Sequence, residues 1–442
     1  MDGQHHVCSI VPRYLLESLC ECDDEEVRRS AHSTLAVAQA LHTNRHEIFE
    51  LKCSSRGGSD GHGTRPQGIV PGTLLQAVVD SSEADDESKA AAKDTLAFSE
   101  RVREDRAAVL AAASGITPTA PEPITGMAKG GRDTETGFMR RVYNMQNGGD
   151  VEDPSSFDLL PGKEARVEGQ DATDDEEVDE AYDMALQVLQ FYKKFFNYDS
   201  LDGQAMEIRS SVHFGKKLGN AFWLGGLEQM VYGDGNSFLH NFTGCIDVIG
   251  HEMTHAVIQY NVALIYRDEA GALNEHIADA FGIMVKQMHQ DEKAADADWL
   301  IGEDCLLPGV KGVALRSMKS PGTAYNDPRF GYDLQPSHTD QIPELMKKHG
   351  TFIKDRDYGG VHVFSGIPNR AFHLAAVAFG GYTWEKAGKI WWKVVSERTI
   401  PPNCTFIKFA DATVDAAEEL FGEDAAKTVR DAWNQVGVVR KV

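Results

Sequence analysis

The sequence has no apolar run approaching the roughly 20 residues that a membrane-spanning helix requires, which argues against a helical membrane protein. Basic residues are in short supply: 44 Lys and Arg face 68 Asp and Glu, for a formal net charge of -24. A surface of that sign repels phosphate backbones and anionic lipids, so neither a nucleic-acid nor a membrane partner is expected. Cysteine is sparse as well. The seven residues Cys8, Cys20, Cys22, Cys53, Cys245, Cys305 and Cys404 are scattered and odd in number, which does not form a disulfide framework. Free thiols in a reducing compartment are the expectation, and Cys20 and Cys22 stand too close for a zinc knuckle. The first residues, MDGQHHVCSIVPRYLLESLCECDDEE, lack a basic n-region and a long apolar stretch, so they do not read as a secretory signal.

What is present is enough apolar material, 42% of 442 residues, for two domains and a large core. Residues 1–53 read as a helical segment, with Pro12 opening a helix whose apolar face includes Tyr14, Leu15, Leu16 and Leu19. Residues 54–135 differ in composition, with loop-like ends (SSRGGSDGHGTRPQG and TPTAPEPITGMAKGGRD) around an Ala-rich helical stretch. From Phe138 the pattern alternates strands and turns: FMRRVYNMQ, KEARVEG, MEIRSSVHFG, NAFWL and QMVYGDGN, with one helix, EVDEAYDMALQVLQFYKKFF, among them. After Gly244 the chain turns helical: a helix across 251–255, LNEHIADAFGIMVKQMHQ, a long loop near 300–345, and three further helices. The expected fold is α+β with two lobes, strand-rich over 136–250 and mainly helical over 251–442, meeting at a cleft.

At that junction stands His251-Glu252-Met253-Thr254-His255, followed twenty residues later by Asn274-Glu275. Residues four apart share a helix face, so His251 and His255 can aim two imidazoles at one ion. Glu252 lies one step round, within reach of the proton of a water on that ion. The spacing points to a zinc hydrolase. A hydrolytic zinc site needs three protein ligands and an open position, and Glu275 is the third candidate. Asp279, four residues on, shares the Glu275 face and can bond the far nitrogen of a ligand histidine. His276 projects about 100° away and should miss the ion. His213, His240 and the His5-His6 pair are read as core, surface or weak sites.

The stretch HEMTHAVIQYNVALIYRDEAGALNEHIADAFG resembles the thermolysin-like (M4) zinc endopeptidases, and the likeness runs from about residue 139 to the C-terminus through SSVHFG, NAFW, MVYGDG, IGEDCLLPG, LRSM and GGVHVFSGIPNRAF. CSIVPRYLLESL is similar to the short propeptide of the protealysin-type branch, with Pro12-Arg13 where two prolines are usual. The resemblance implies a thermolysin-like fold with the zinc helix at the cleft. It implies His251, His255 and Glu275 as zinc ligands, Glu252 as general base and then proton donor, and His362 and Tyr266 as oxyanion donors. Asp357 would orient His362. Asn220 and the Ala221 backbone would align substrate as an added strand, and Arg316 would hold a carbonyl beyond the scissile bond. Phe238, Val248 and Leu315 would line an apolar pocket, favouring cleavage before hydrophobic residues.

Some positions depart from the family. Lys286 and Leu300 replace acidic residues of a double calcium site in which Asp247, Asp298, Glu303 and Asp304 remain, and Val313 replaces one in a later calcium loop. An ammonium among carboxylates can stand in for an ion, so calcium is expected to be absent or weak. Between Trp223 and Tyr232 the chain is two residues longer than in thermolysin, so the substrate edge can differ. Residues 54–135 are either an activation linker or a passive insertion. Cys8 is either a zinc-reaching thiol of the zymogen or a buried structural one. The expected partners are peptide or protein substrates and the chain's own propeptide, with the molecule a monomer. The family implies secretion without a classical signal, whereas the thiols favour the cytoplasm. A catalytically silent peptide-binding protein and a zinc aminopeptidase are the alternatives to an endopeptidase.

Overall fold

Five short strands form the sheet that precedes the metal helix: β1 (Arg140–Asn144), β2 (Lys163–Val167), β3 (Ile208–Val212), β4 (Ala221–Leu224) and β5 (Gln229–Tyr232). In this computed structural model the described residues are 11–35 except 12, 23, 26 and 33; 137–148; and 159–439 except 217, 226, 236–238 and 329–330. The expectations for residues 54–135, for Cys8, for His5 and His6, and for Phe238 lie outside the described residues.

The strand order is β2-β1-β3-β5-β4, parallel between β1, β3 and β5 and antiparallel at both edges. β4 is therefore an edge strand. In its pairing with β5, Gly233 N–H donates to the Asn220 carbonyl at 3.0 Å. That places Ala221 and Trp223 at positions whose backbone groups face away from β5, toward an added strand.

Helix α2 (Glu176–Phe196) is started by Asp175, whose side chain accepts from Val178 N–H, and carries Glu176, Glu177 and Asp179 in its first turn. Its apolar face, including Val178, Ala185, Val188, Leu189 and Tyr192, is buried across β1–β3 and against the metal helix. That helix is α3 (Ile246–Asn261), buried continuously from Ile246 to Ile258, so its polar residues Asp247, His251, Glu252, Thr254 and His255 face the interior and not solvent.

Helix α4 (Asp268–Gln290) crosses α3 at two glycines. A methyl on Gly250 would sit 3.0 Å from Gly282 Cα, and one on Gly282 would sit 2.6 Å from the Asp247 carbonyl oxygen. The absence of both side chains lets the two helices that carry the metal candidates approach closely.

The loop region near 300–345 contains two pairings of two-residue strands: β6 (Leu300–Ile301) with β7 (Arg316–Ser317), and β8 (Asn326–Asp327) with β9 (Gly331–Tyr332). Beyond it the described residues hold six helices, not three: α5 (Ile342–Arg356), α6 (Val361–Phe364), α7 (Gly366–Phe379), α8 (Ala387–Ser396), α9 (Phe406–Phe421) and α10 (Glu423–Gln435). Glycines at 360, 366, 380 and 422, which divide the apolar periodicity into short pieces, account for the difference.

Near the N-terminus, α1 (Arg13–Cys20) ends at a turn over Glu21 and Cys22, and helix resumes by residue 27; the single helical run expected there is broken. Val11, Leu15, Leu16, Leu19, Val27 and Ala31 are all buried in the same hydrophobic core as helices α3 and α4.

His213 ends β3 in a left-handed conformation (φ 56°) between two acids, with Nδ1 2.9 Å from Asp234 and Nε2 3.1 Å from Asp175; Glu177 lies 4.0 Å away. The bond to Asp234, with that to Asp175, outweighs burial and raises its pKa from 6.5 to about 9. Because the folded value is the higher one, the stabilisation is complete below pH 6.5 and is lost as pH rises through about 9. His213→Gln should therefore lower Tm below pH 6.5, and the gap to the parent should close above pH 9 in thermal melts across that range.

Candidate metal centre and active site

Helical spacing brings His251 and His255 together as the sequence predicts, with their Nε2 atoms 3.0 Å apart and both rings buried. Glu275, arriving on α4, lies 3.4 Å from His251 Nε2 and 3.5 Å from His255 Nε2. His251, Glu252 and His255 also offer ligand atoms all within 4.8 Å of one another.

The proton inventory tests whether these residues suit a cation. His251 Nδ1 donates to Asp279 at 2.8 Å and His255 Nδ1 donates to the Asn274 amide oxygen at 2.9 Å. Burial lowers the His251 pKa, but Asp279 and Glu275 raise it to about 9; with Nδ1 donating, each ring presents an Nε2 lone pair toward the other once its second proton is displaced. Glu275 Oε2 is buried beside them without a hydrogen-bond partner. Two lone pairs and an anionic oxygen converging in a buried site fit a divalent cation, and this donor set of two imidazoles and a carboxylate suits zinc.

Glu252 is fully buried, with Oε2 accepting from Trp223 N–H of β4 at 2.9 Å and Oε1 without a hydrogen-bond partner. Burial pushes its pKa up to about 8. Burial acts the same way on Glu275, but His362, His251 and His255 outweigh it and hold that carboxyl well below the usual range.

On the other side of Glu275 stand Tyr266 and His362. The Tyr266 hydroxyl donates to Glu275 Oε1 and lies 3.3 Å from His362 Nε2, which is 3.4 Å from Glu275 Oε2. Asp357 accepts from His362 Nδ1 at 2.7 Å and from the backbone N–H groups of His362 and Val363 at 3.1 and 3.0 Å. Burial lowers the His362 pKa, but Glu275 and Asp357 together raise it above its ordinary value.

Asp279 does more than orient one ligand. It accepts from His251, twice from Arg316 (2.9 and 2.7 Å) and from the Asn369 amide at 2.8 Å. Burial would favour its neutral form, but Arg316 and His251 hold it far below the carboxylate range. Arg316 is thereby fixed at the start of β7. Asn220 and Ala221 are buried at the β4 edge, where Asn220 Oδ1 accepts from Ala221 N–H at 3.0 Å and from Val11 N–H at 3.1 Å. Val248 and Leu315 are buried on α3 and just before β7.

Several contributors had no role assigned from the sequence. Asn274 holds His255 although it adjoins Glu275 in the same motif. Trp223 acts through its backbone, which no residue pattern reports. His276 is turned from the metal site, as its helical angle requires: Nδ1 donates to Asn369 Oδ1 and Nε2 accepts from Trp391, both at 2.8 Å. Burial lowers its pKa to about 4, so it is a neutral brace behind Asn369.

The comparisons agree with this geometry. The family description "Thermolysin metallopeptidase, catalytic domain" matches residues 131–259, and "Thermolysin metallopeptidase, alpha-helical domain" matches residues 262–438. The chain belongs to the thermolysin (M4) metallopeptidase family. It is 45% identical over 289 residues to Protease PrtS of Photorhabdus sp. (strain Az29), covering 65% of this chain and 76% of that one. To the Extracellular metalloprotease of Pectobacterium carotovorum subsp. carotovorum it is 44% identical, covering 65% and 80%. Among solved structures it is similar to the precursor of protealysin, a metalloproteinase from Serratia proteamaculans, with a TM-score of 0.63, 38% identity, and coverage of 84% of this chain and 99% of that one. The molecule is thus a metalloendopeptidase with the thermolysin-like fold: a strand-rich N-terminal part and a helical C-terminal part.

The acidic region around Asp298 and Glu303 holds a lysine. Lys286 Nζ donates to Asp298 at 3.0 Å, to Glu303 at 3.1 Å and to the Leu300 carbonyl at 3.3 Å. Burial opposes its charge, but Asp247 and Asp298 raise its pKa above the ordinary value. Val313 is exposed on the later loop.

Because Asn274 Oδ1 accepts from His255 Nδ1, Asn274→Ala should weaken metal binding by about 10–100-fold, the usual effect of losing a ligand's hydrogen-bonding partner. A competitive chelator titration measures this.

Proposed function

We propose that this enzyme is a zinc endopeptidase that cuts on the amino side of hydrophobic residues and in which Glu252 moves the proton. The observation that carries the reading is the pairing of a buried Glu252, one oxygen pinned to the β4 backbone and the other unsatisfied, with the converging His251, His255 and Glu275. Zinc held by those three residues would supply Lewis-acid polarisation of the scissile carbonyl and acidify the attacking water.

The chain's own groups supply the rest. The outward backbone of β4 at Ala221, with Asn220, pairs a peptide as an added strand and lays its carbonyl against the site. The raised pKa of Glu252 suits a base that takes a proton from water near neutrality and returns it to the leaving amine. Tyr266 and His362 stand together to donate to the developing oxyanion, with Asp357 holding the imidazole at the proper angle. Arg316, braced by Asp279, binds the next carbonyl. Val248 and Leu315 contribute apolar surface for the side chain that follows the scissile bond.

Residues 11–35 keep the enzyme latent in this reading. Val11 N–H occupies Asn220 Oδ1, and Thr34 Oγ1 accepts from Gly219 N–H at 3.1 Å, so the segment covers the edge that a substrate strand needs. α1 meanwhile packs against α5. Removal of the segment exposes the edge. One of the similar proteases, named extracellular, supplies the basis for proposing export.

Zinc-loaded enzyme should cleave a peptide blocked at both ends before an internal Leu or Phe, with activity rising after limited proteolysis between residues 36 and 136. Glu252→Gln should lower kcat about 100-fold or more while still binding zinc. If the parent cleaves neither before nor after proteolysis, the endopeptidase reading fails. Calcium is the second expectation. With the Lys286 ammonium already bonded to both Asp298 and Glu303, calorimetric titration should show no tight calcium binding, and calcium should leave Tm unchanged. Lys286→Met should lower Tm by leaving those carboxylates unpaired, an effect of about 1–3 kcal/mol once their partial exposure is counted.

A further inference from the structure

Cys245 and Cys305 are sixty residues apart in the chain, yet the Cys305 thiol donates to the Cys245 sulfur at 2.8 Å and both side chains are buried. Cys245 occupies the N-cap of α3, a position that usually takes Ser, Thr, Asn or Asp, and its side chain makes no capping bond. The sulfur is instead directed at the turn that follows β6. The two backbones are already held together on both sides of the thiols. His240 N–H donates to the Cys305 carbonyl at 2.9 Å, Leu239 bridges to Leu306, and Gly302 N–H donates to Asp247 at 2.8 Å. The backbone contacts thus already hold the two sulfurs within reach of each other.

We propose that Cys245 and Cys305 are a modification site, joined as a disulfide in the mature enzyme. The oxidant is a low-molecular-weight or protein disulfide. One cysteine thiolate attacks an oxidant sulfur, forming a mixed disulfide and releasing the first oxidant thiolate. The second cysteine thiolate attacks the mixed disulfide, forming the Cys245–Cys305 bond and releasing the second. The two protons leave to the released thiolates, so two protein thiols are oxidised while one external disulfide is reduced to two thiols.

The timing follows from burial. On Cys245 the shared hydrogen bond works in the opposite direction, but burial and nearby acids still raise its pKa, and burial raises that of Cys305 further. Packed thiols thus hold little thiolate and offer an oxidant no approach, so the bond forms as the chain folds and is shielded from reduction afterwards. The proposed export enters only as the step at which the chain meets the oxidant.

The link spans two functional parts. His251 follows Cys245 by less than two helical turns, and Ile301 of β6 pairs with Arg316 of β7. A bond between them ties the metal-ligand helix to the strand pair that carries the substrate-facing arginine. It does so beside Lys286, which joins α4 to the same 298–303 segment.

The test uses the full chain made in an oxidising compartment, quenched with acid, alkylated in denaturant and digested. One peptide pair joined through Cys245 and Cys305 is expected, lighter by two hydrogens than the separate peptides and released by reductant. Alkylation of both residues in that sample, or linkage of either to another cysteine, overturns the proposal. Cys305→Ser should leave blocked-peptide hydrolysis at moderate temperature unchanged and shorten the half-life at elevated temperature several-fold. An unchanged half-life would also overturn it. If the variant does not fold, peptide mapping of the parent still decides.

Discussion

The Asp279 carboxylate is the interaction on which the site depends. It is an anion buried in the interior, tolerable there because Arg316 meets it with two hydrogen bonds and His251 and Asn369 satisfy its remaining lone pairs. Removing one partner would leave a buried charge uncompensated, a loss of about 3–5 kcal/mol in comparable pairs. Through this one group α4 sets the ring plane of a metal-site histidine on α3, the direction of an arginine on β7 and the position of an amide on α7. His276 and Trp391 brace Asn369 from behind, so the carboxylate cannot turn without disturbing a second buried set of hydrogen bonds.

Close helix approach makes that arrangement possible. At the Gly250–Gly282 crossing, backbone meets backbone where side chains would otherwise separate the helices. Helix α3 in turn lies against edge strand β4, so that Glu252 is anchored by the backbone of the strand proposed to receive substrate. The group proposed to move the proton and the edge proposed to take substrate are thereby kept in register by one hydrogen bond.

The cation balance is met differently in two places. In the metal centre, converging lone pairs and an unpaired carboxylate oxygen call for an ion. In the region around Asp298 and Glu303, a lysine supplied by the chain itself meets a similar concentration of acid. A covalent ammonium is present whatever the calcium level outside, and it joins α4 to the 298–303 segment without an ion.

What could be read from sequence was local. The HExxH spacing, the Glu275-to-Asp279 interval and the turn of His276 away from the site all follow from 3.6 residues per turn, which acts within one helix. The strand and helix order of 140–290 was legible because its apolar periods are long and its caps are clear, as at Asp175 before α2. The six helices after residue 342 were not separable, because short segments divided by glycine carry too little periodicity. Asn274 holding His255, Asn369 holding Asp279, Trp223 N–H holding Glu252 and the meeting of Cys245 with Cys305 were decided by tertiary structure alone. Each joins residues whose separation in the chain bears no relation to a helical or strand period, so their contact depends on how whole elements pack. Sequence by itself determined which chemistry the chain could carry; packing decided which atoms face one another to perform it.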